Sequence, residues 1–385
     1  MQVLYVNQTA DVSGAERSLL TLIAALRDEV EPTLATPDGT LSRLAAEADI
    51  PTAPIRGTQA SFRLHPLHTS RGLAEIGRSA LQVRGLARRL GPDLVHANTT
   101  RAALLALLAR RPRPPVLAHI RDWAPEGRFS RTVLGVVARR ADLVVANSAY
   151  IAGQFDGLPL RRPARVIHNP VDLARFDPEA ADRLAVRAEL GLDPGEATLA
   201  VVAQLTPWKG QDDAIRTLAA LREGGREATL LLAGSAKFSG AGTQFDNAAY
   251  AEGLHRLAAE LGVAERVRFL GERDDVPAVL AAADVLLLPS WQEAFGRIAI
   301  EAMAMGVPVA ATDRGGPAEI VRPGVDGLLL APKQPRAWAT ALEPLLDDPD
   351  RRAAMAAAAR ERAQDFSADV HAKAVLEVYR ELTGG

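Results

Sequence analysis

Cysteine is absent from the 385 residues of this sequence, and lysine is nearly so. Without cysteine, disulfide bonds, thiol catalysis and thiolate metal sites are excluded. Only four of the 45 basic residues are lysines, namely Lys209, Lys237, Lys333 and Lys373. Because the chain otherwise uses arginine, the presence of a lysine mildly favours the interpretation that its position requires a compact point charge.

Long hydrophobic runs, a signal peptide and an excess of one charge are missing as well. No apolar stretch approaches the ~20 residues that span a bilayer, and the N-terminus lacks the basic and apolar segments of a secretory signal. The 45 basic and 47 acidic residues nearly cancel, which argues against nucleic acid as a partner. No D-x-D follows a predicted strand and no histidine pair has ligand spacing, so we expect no metal and no cofactor. These absences predict a cytoplasmic protein.

Short, almost uniformly apolar runs alternate with helical patterns along the whole chain. Eleven of these runs predict strands, five before residue 170 and six after it. Apolar strands separated by helices are typical of parallel sheets that are covered on both faces. Eleven strands are too many for one open sheet of usual size, so we predict two doubly wound α/β domains.

The boundary between the two domains is expected at 168–182, where prolines and aspartates interrupt the pattern. This predicts an N-terminal domain over residues 1–175 and a C-terminal domain over residues 176–365. Residues 366–385 carry a helical pattern that no strand follows, so this terminal helix can pack on either domain, including by crossing back onto the N-terminal one.

Arginines outnumber acids between residues 63 and 113, and apolar residues recur beside them at helical spacing. One interpretation is a basic amphipathic surface for anionic lipid or a phosphorylated acceptor, which would place the protein at the inner face of a membrane. The other is a core-facing helix with a solvated arginine face, and we favour that one.

Two carboxylates eight residues apart, Glu293 and Glu301, stand in the segment EAFGRIAIE. An apolar run ends just before it, and ligands of doubly wound folds bind at the carboxyl ends of strands. We therefore expect Glu293 to contact a sugar and the Phe295 and Gly296 amides, at a helix start, to contact a phosphate. Glu301 lies among apolar residues and suits ribose hydroxyls. The alternative is two ordinary surface acids around a helix start.

The same segment resembles the E-x7-E motif of the retaining family-4 glycosyltransferases, and its continuation AMAMGVPVAATDRGGPAEIV resembles that family almost position by position. SGAERSL, VIHNPVD and VAQLTPWKGQDDAI resemble other segments of the family, so the resemblance covers most of the chain. It implies the GT-B fold, in which two Rossmann-like domains face a deep cleft. The N-terminal domain would bind the acceptor and the C-terminal domain a nucleotide-diphosphate sugar.

The resemblance also implies which residues bind the donor. Lys209 matches the second member of a basic pair that holds the diphosphate, whereas Gln204 stands where arginine is usual. The glutamine lacks one charge-assisted contact of roughly 1.5–3 kcal/mol, which Arg297 is placed to replace. Ala294 lies within the donor-binding segment, and Arg273 and Asp274 are the expected contacts of the base.

On the acceptor side, the resemblance places Gly14, Glu16 and Arg17 near the reaction centre, and Gly14 is expected to contact the donor as well. It gives His119 a catalytic role beside Glu293 and Lys209, through a hydrogen bond to the donor sugar. His119 and the residues that follow it, Arg121 and Asp122, stand at the end of a predicted strand, where polar side chains are expected to project into the crevice. His96 is a second candidate of lower rank, for which we favour a structural role.

The reaction that the resemblance implies is metal-independent sugar transfer to a hydroxyl of a lipid-linked glycan, a polysaccharide or a small natural product. No residue is a convincing covalent nucleophile, so the departing phosphate would take the acceptor proton. A nucleotide-sugar 2-epimerase of the same fold is an alternative. A catalytically silent binding protein is another, kept open by Gln204. An oxidoreductase is disfavoured because the sequence has no G-x-G-x-x-G.

Overall fold

A computed structural model describes residues 1–58, 66–109, 114–236 and 245–384. The chain forms two compact units. Unit 1 comprises Met1–Pro170 together with the helix from Ala368 onward, and unit 2 comprises Val171–Ser367. The division after Pro170 falls within the 168–182 segment and five residues before the predicted boundary at residue 175. The sequence also contains a long segment, AKFSGAGTQFDNAAY, over 236–250, and its residues 237–244 lie outside the described residues.

Unit 1 is built on a parallel sheet of seven strands in the order β3-β2-β1-β4-β5-β6-β7. The strands are β1 (Gln2–Val6), β2 (Glu31–Thr36), β3 (Thr52–Pro54), β4 (Leu94–Ala97), β5 (Val116–Ile120), β6 (Leu143–Ala146) and β7 (Arg165–Val166). The helices that alternate with them are α1 (Gly14–Ala25), α2 (Thr40–Glu47), α3 (Pro66–Leu90), α4 (Thr100–Ala109), α5 (Arg128–Arg140) and α6 (Ala149–Ala152).

Two strands of this sheet, β2 and β3, are absent from the eleven that the sequence pattern predicts. Strand β2 begins with Glu31 and Pro32 and so lacks a continuous apolar run. Strand β3 has three residues, ends at Pro54 and lies at the edge of the sheet, where proline is tolerated. Hydrophobic pattern alone does not reveal such strands, because their pairing comes from the neighbouring β1.

Unit 2 contains a second parallel sheet, in the order β10-β9-β8-β11-β12-β13. Its strands are β8 (Ala197–Val202), β9 (Ala228–Ala233), β10 (Val267–Gly271), β11 (Val285–Leu288), β12 (Val309–Thr312) and β13 (Gly327–Leu330). Its helices are α7 (Arg183–Glu189), α8 (Gln211–Glu223), α9 (Asn247–Glu260), α10 (Val276–Ala282), α11 (Arg297–Ala304), α12 (Pro317–Ile320), α13 (Pro335–Asp347) and α14 (Pro349–Ala363).

The two faces of the unit 2 sheet each carry a hydrophobic core. Because side chains alternate along a strand, Leu199 and Leu230 pack with α8, α9 and α13 on one face. Ala200 and Leu231 pack with α10, α11 and α14 on the other. Two-sided burial explains why these strands read as continuous apolar runs.

The terminal helix α15 (Ala368–Thr383) completes the core of unit 1. Its buried residues pack against β1, β4, β5, β6 and α1. A polar row crosses this apolar contact, formed by His96 of β4, His119 of β5 and His371 of α15, which we call the histidine row. The ring centroids of its neighbours are 5.2 and 5.9 Å apart.

Every member of the histidine row is buried. His96 Nδ1 lies 2.6 Å from the hydroxyl of Tyr379, and His371 Nδ1 lies 2.7 Å from the carbonyl oxygen of His168. Burial, together with the nearby Arg121, lowers the pKa of His371 to about 3 and holds the pKa values of His96 and His119 well below their ordinary value. The row is therefore uncharged at neutral pH.

The described part of the arginine-rich 63–113 region lies mainly on α3 and α4, which pack against each other. Ala80, Val83 and Leu86 of α3 are buried, and its solvent face includes Arg78, Arg88 and Arg89. Residues 59–65 and 110–113 lie outside the described residues. Within the part of the chain that the structure covers, no helix has the length and apolarity to cross a membrane.

The histidine row predicts that acid destabilises the protein. Unfolded histidines take up protons near pH 6.5, whereas folded His371 does so near pH 3. Between these values the unfolded state binds more protons than the folded state. As the pH is lowered, the free energy of unfolding therefore falls by up to ~1.4 kcal/mol per pH unit for each such histidine. Denaturant unfolding at pH 7, 6 and 5 measures this slope.

In the same measurement, we expect the His371→Gln variant to show a shallower slope than the wild type. His255→Gln is the matched control, because His255 is exposed and should leave the slope unchanged. Equal slopes for the wild type and His371→Gln would contradict the prediction.

Candidate functional site

The order of strands in unit 2 reverses between β8 and β11, which are neighbours in the sheet but not in the chain. In open parallel sheets, a crevice forms beyond the carboxyl ends of the strands at such a point. Two loops meet there, 203–210 after β8 and 289–296 after β11. They contain most of the residues that the sequence predicts for the donor site.

The ammonium group of Lys209 and the carboxylate of Glu293 meet at this point. Lys209 Nζ lies 2.5 Å from Glu293 Oε2, and the hydroxyl of the buried Ser290 donates a hydrogen bond to the same oxygen at 3.1 Å. The two side chains are only 16% and 10% exposed. A largely desolvated ion pair of this kind fixes both groups in place, since separating them without another partner is costly.

Trp208 lies under the cation, with its ring centroid 4.1 Å from Lys209 Nζ. The backbone N–H of Trp291 donates to the carbonyl oxygen of Trp208 at 2.9 Å, so the two loops are joined through the main chain. Gly210 has a φ of +71°, and a Cβ there would lie 2.3 Å from the carbonyl oxygen of Pro289. Only glycine allows this close approach of the loops.

The start of α11 faces the same edge of the sheet. Its N-cap is Gly296, with a φ of +90°, and the preceding Phe295 is anchored in the core with its ring centroid 6.1 Å from that of Phe366. Ala294 is half-buried between Glu293 and this anchor. A helix start directs N–H groups outward and suits an anion.

Glu293 is also held through its backbone by the loop after β12. Its N–H donates to the carbonyl oxygen of Arg314 at 3.1 Å, and its own carbonyl oxygen accepts from Gly316 at 2.9 Å. A Cβ on Gly315 would lie 2.0 Å from that carbonyl oxygen. The glycines of the GG pair therefore allow the β12 loop to support the carboxylate from behind.

Glu301, the second acid of the motif, is buried on α11 and accepts from Arg297 one turn earlier, with Arg297 Nε 3.0 Å from Glu301 Oε1. Arg297 Nη2 contacts the same oxygen. Their side chains are 12% and 10% exposed. The two acids of the motif thus each neutralise a cation, and neither is an ordinary surface acid.

The remaining predicted donor residues lie at neighbouring strand ends. Gln204 is half-buried, and its carbonyl oxygen accepts from Gln211 Nε2 at 2.9 Å. Arg273 follows β10 and forms two hydrogen bonds to Asp275, of 2.7 and 2.6 Å, with a third to Glu189 at 3.2 Å. These contacts raise its pKa above the ordinary value. The carbonyl oxygen of Asp274 accepts from Arg175 at 2.9 Å.

The sequence analysis missed Trp208 and Ser290. Trp208 adjoins Lys209, and tryptophan occurs only four times in the chain, so its rarity was an available signal. Ser290 follows Pro289 at a strand end, and nothing in its spacing distinguishes it from other loop serines.

In unit 1, Arg121 joins residues that follow several strands. Its Nε donates to Asn98 Oδ1 at 3.0 Å and its Nη1 donates to Asn169 Oδ1. Asn147 Nδ2 donates to the Arg121 carbonyl oxygen at 3.2 Å, and Asn98 Nδ2 donates to Asn7 Oδ1 at 3.1 Å. The guanidinium group is buried and fixes the carboxyl edge of this sheet.

The structure contradicts the expectation that His119 projects from a strand end. His119 lies within β5 and its imidazole is fully buried in the histidine row, with Nδ1 3.2 Å from Arg121 Nη2. Leu117 and His119 lie on the same face of β5 because side chains alternate, and that face packs against α15. The side chain at the strand end is Arg121, two residues later. His96 has the structural position predicted for it.

Two acids predicted for the acceptor side act as helix caps. Glu16 is buried, and its Oε2 accepts from the Ser13 amide at 3.0 Å in a capping box at the start of α1. Asp122 accepts from the amide and hydroxyl of Thr100, at 3.1 and 3.0 Å, at the start of α4. Gly14, the first residue of α1, is exposed, and Arg17 is half-buried.

A metal site has no counterpart in the geometry of the described chain, where no three or more histidine, aspartate or glutamate side chains are grouped to hold an ion. The groups at the unit 2 edge whose chemistry suits an anion are the ammonium group of Lys209 and the start of α11.

Comparison with known proteins places these features in a family. Residues 12–175 match the family described as Glycosyltransferase Family 4, and residues 182–362 match Glycosyl transferases group 1. A D-inositol 3-phosphate glycosyltransferase of Salinispora arenicola is 38% identical over 318 residues, which cover 78% of this chain and 66% of that protein. Another, of Actinosynnema mirum, is 37% identical and covers 77% of this chain and 69% of that protein. The chain therefore spans about two thirds of the length of these curated relatives.

A solved structure, that of Anabaena Alr3699/HepE in complex with UDP-glucose, is similar over its whole length. Its TM-score is 0.82 at 28% sequence identity, covering 99% of this chain and 100% of that one. The resemblance read from the sequence is thereby confirmed, as is the fold class. The chain belongs to glycosyltransferase family 4 and has the GT-B fold of two parallel-sheet, Rossmann-like domains.

Proposed function

We propose that the protein is a retaining glycosyltransferase that moves a sugar from a nucleotide-diphosphate donor to an acceptor hydroxyl without a metal ion. The observation that carries this proposal is the Lys209–Glu293 ion pair at the point where the strand order of unit 2 reverses. A cation for a phosphate and a carboxylate for sugar hydroxyls stand side by side where parallel sheets bind ligands.

Lys209 and the start of α11 would bind the donor diphosphate and stabilise the charge that develops as it departs. Fixed cations and amides in a partly desolvated crevice stabilise such charge without reorganising, which is commonly the largest contribution to catalysis. The amides of Ala294, Phe295 and Gly296 belong to this group, whereas the carboxylates supply no charge of the required sign.

Glu293 would orient the hydroxyls of the donor sugar. In the ion pair, its Oε2 is engaged by Lys209 and Ser290. A diphosphate that binds Lys209 competes for the ammonium and releases the carboxylate toward hydroxyl donors, while Ser290 keeps it oriented. Binding the donor thus exchanges one ion pair for another rather than leaving a buried charge alone.

The other proposed donor contacts come from residues near the carboxyl edge of the unit 2 sheet. Glu301 would accept from ribose hydroxyls, with Arg297 held beside it as a second positive charge near the helix start. Gln204 would donate a neutral hydrogen bond to a phosphate oxygen, and Arg273 would lie near the base. The ion pairs of Arg273 with Asp275 and Glu189 fix its position.

A UDP-sugar is the first donor to test, because the similar Anabaena protein was solved with UDP-glucose. For the acceptor, two relatives are named for D-inositol 3-phosphate. A phosphorylated polyol is therefore a further candidate acceptor, beside a lipid-linked glycan, a polysaccharide or a small natural product. We place the acceptor on unit 1, near Gly14, Arg17 and Arg121. His119 then acts on the reaction through Arg121, since its own ring is buried.

A cytoplasmic location with peripheral contact at a membrane is compatible with the exposed face of α3. Arg78, Arg88 and Arg89 are exposed there, and Leu81 is 65% exposed beside them. Cations around an exposed leucine suit an anionic lipid surface. Sedimentation with vesicles tests this contact: binding to anionic vesicles and not to neutral ones supports it, and no binding to either would contradict it.

The deciding experiment measures nucleoside diphosphate release from UDP-, GDP-, ADP- and TDP-sugars, first without an acceptor and then with candidate acceptors. Release from one donor, increased by an acceptor, supports the transferase. A sugar epimerised with its diphosphate still attached supports a 2-epimerase instead. Binding of a donor with no turnover under any condition supports a silent binding protein.

Glu293→Ala should lower kcat by at least about 100-fold, because it removes a group proposed to act on the sugar as its bond breaks. UDP itself has no sugar for Glu293 to contact, so its affinity should be unchanged or higher in the variant. Steady-state kinetics and calorimetry measure the two effects. Equal losses in turnover and UDP affinity would rule out this role for Glu293.

Chelation and product stereochemistry test the remaining features of the mechanism. We expect an excess of EDTA to leave turnover unchanged, because amides and a cation stabilise the leaving group. The anomeric configuration of the donor should be retained in the product, as NMR spectroscopy can measure. Loss of activity with EDTA that Mg²⁺ or Mn²⁺ restores, or an inverted product, would contradict the proposal.

A further inference from the structure

Lys209 is the only charged residue in the 203–210 loop, and its ammonium group has two partners in the structure. One is the Glu293 carboxylate at 2.5 Å and the other is the face of Trp208, at 4.1 Å from the ring centroid. The proposed function uses the first contact and leaves the second unexplained.

We propose that Trp208 is the positioning residue for Lys209: its indole face holds the ammonium group in place when the donor diphosphate displaces Glu293. This inference rests on the proposed function, because it assumes that Lys209 binds the diphosphate. It adds a residue outside the E-x7-E motif and assigns it a separate task.

The two partners of Lys209 differ in what they do when an anion arrives. A carboxylate competes with the phosphate for the same ammonium hydrogens, so it has to be displaced. An aromatic face attracts the cation through its quadrupole and accepts no strong hydrogen bond. Trp208 can therefore remain in contact while the ammonium hydrogens turn toward phosphate oxygens.

The backbone around Trp208 is fixed, so its ring is a rigid support. The residues Pro207–Lys209 form a single 3-10 turn, closed by the Lys209 amide on the Thr206 carbonyl oxygen at 2.9 Å. The Trp208 carbonyl oxygen accepts from Trp291 at 2.9 Å. The turn is thus held from both sides, by its own hydrogen bond and by the loop that carries Glu293.

Restraint matters more at this lysine than at a surface one. A lysine side chain has many rotamers, and each one excluded before binding lowers the entropic cost of the contact. The neighbouring Gln204 is neutral, so the loop has no second cation to compensate if Lys209 turns away. Losing the indole face should therefore weaken diphosphate binding even though the positive charge remains.

The test is a double-mutant cycle on UDP binding, measured by calorimetry with the full chain. Trp208→Leu should weaken UDP binding by about 2- to 30-fold, the range expected for a cation–π contact, and should leave uridine affinity unchanged. Trp208→Phe keeps an aromatic face and should retain most of the affinity. In the Lys209→Ala background, Trp208→Leu should change UDP affinity by less than about twofold.

Each outcome separates this inference from the proposed function. If Trp208→Leu weakens UDP binding equally with and without Lys209, or weakens uridine as much as UDP, Trp208 does not act through the lysine. If Lys209→Ala weakens UDP binding and Trp208→Leu does not, only the role of Trp208 is wrong. If Lys209→Ala itself leaves UDP affinity unchanged, the proposed donor site is wrong. A thermal unfolding midpoint of the Trp208→Phe variant close to that of the wild type shows that the variant still folds.

Discussion

Both sheets of this protein are parallel, and this constraint determines where the charged side chains of a binding site can lie. Helices cover the two faces of the unit 2 sheet, so its strands are buried on both sides and contain few polar side chains. The charged groups of the candidate site lie in the loops at the carboxyl ends of the strands and on the first turns of α11. Since parallel strands share one carboxyl edge, those loops converge, and residues 84 positions apart in the chain, such as Lys209 and Glu293, form one ion pair.

Convergence alone would not fix the loops in one conformation. Glycine residues fix them, because they allow the backbones of neighbouring loops to come into close contact. Gly210 and Gly315 each place backbone against backbone, one on Pro289 and the other on Glu293. A side chain at either position would push a loop away from its neighbour. The charged groups of the edge are therefore supported by main-chain contacts, which depend little on the flexible ends of long side chains.

The sequence was sufficient for the parallel α/β class and for the location of Glu293 and Glu301 at the carboxyl edge of the unit 2 sheet, because both leave strong local patterns. It did not reveal β2 and β3, whose pairing is decided by β1 rather than by their own composition. It also misplaced His119. A polar residue late in an apolar run looks like a strand end, and only the alternation of side chains, together with the position of α15, shows that its ring faces the core.

The partners of individual charges were the least predictable feature. Glu16, Asp122 and Arg273 are residue types that bind ligands, and each has local partners within its own unit. Capping and short-range ion pairs depend on one or two ångströms of backbone placement, which composition and spacing do not specify. Lys209 was identified through the family resemblance, and the scarcity of lysine in the chain supported that choice.

The docking of α15 on unit 1 affects the order in which the chain can fold during synthesis. Strands β1, β4, β5 and β6 emerge from the ribosome early, yet the helix that covers one of their faces follows all of unit 2. Until α15 arrives, His96 and His119 are accessible to water and the apolar surface around them is open. Unit 2 has its whole sequence available first, so the unit that starts the chain is the later of the two to finish its core.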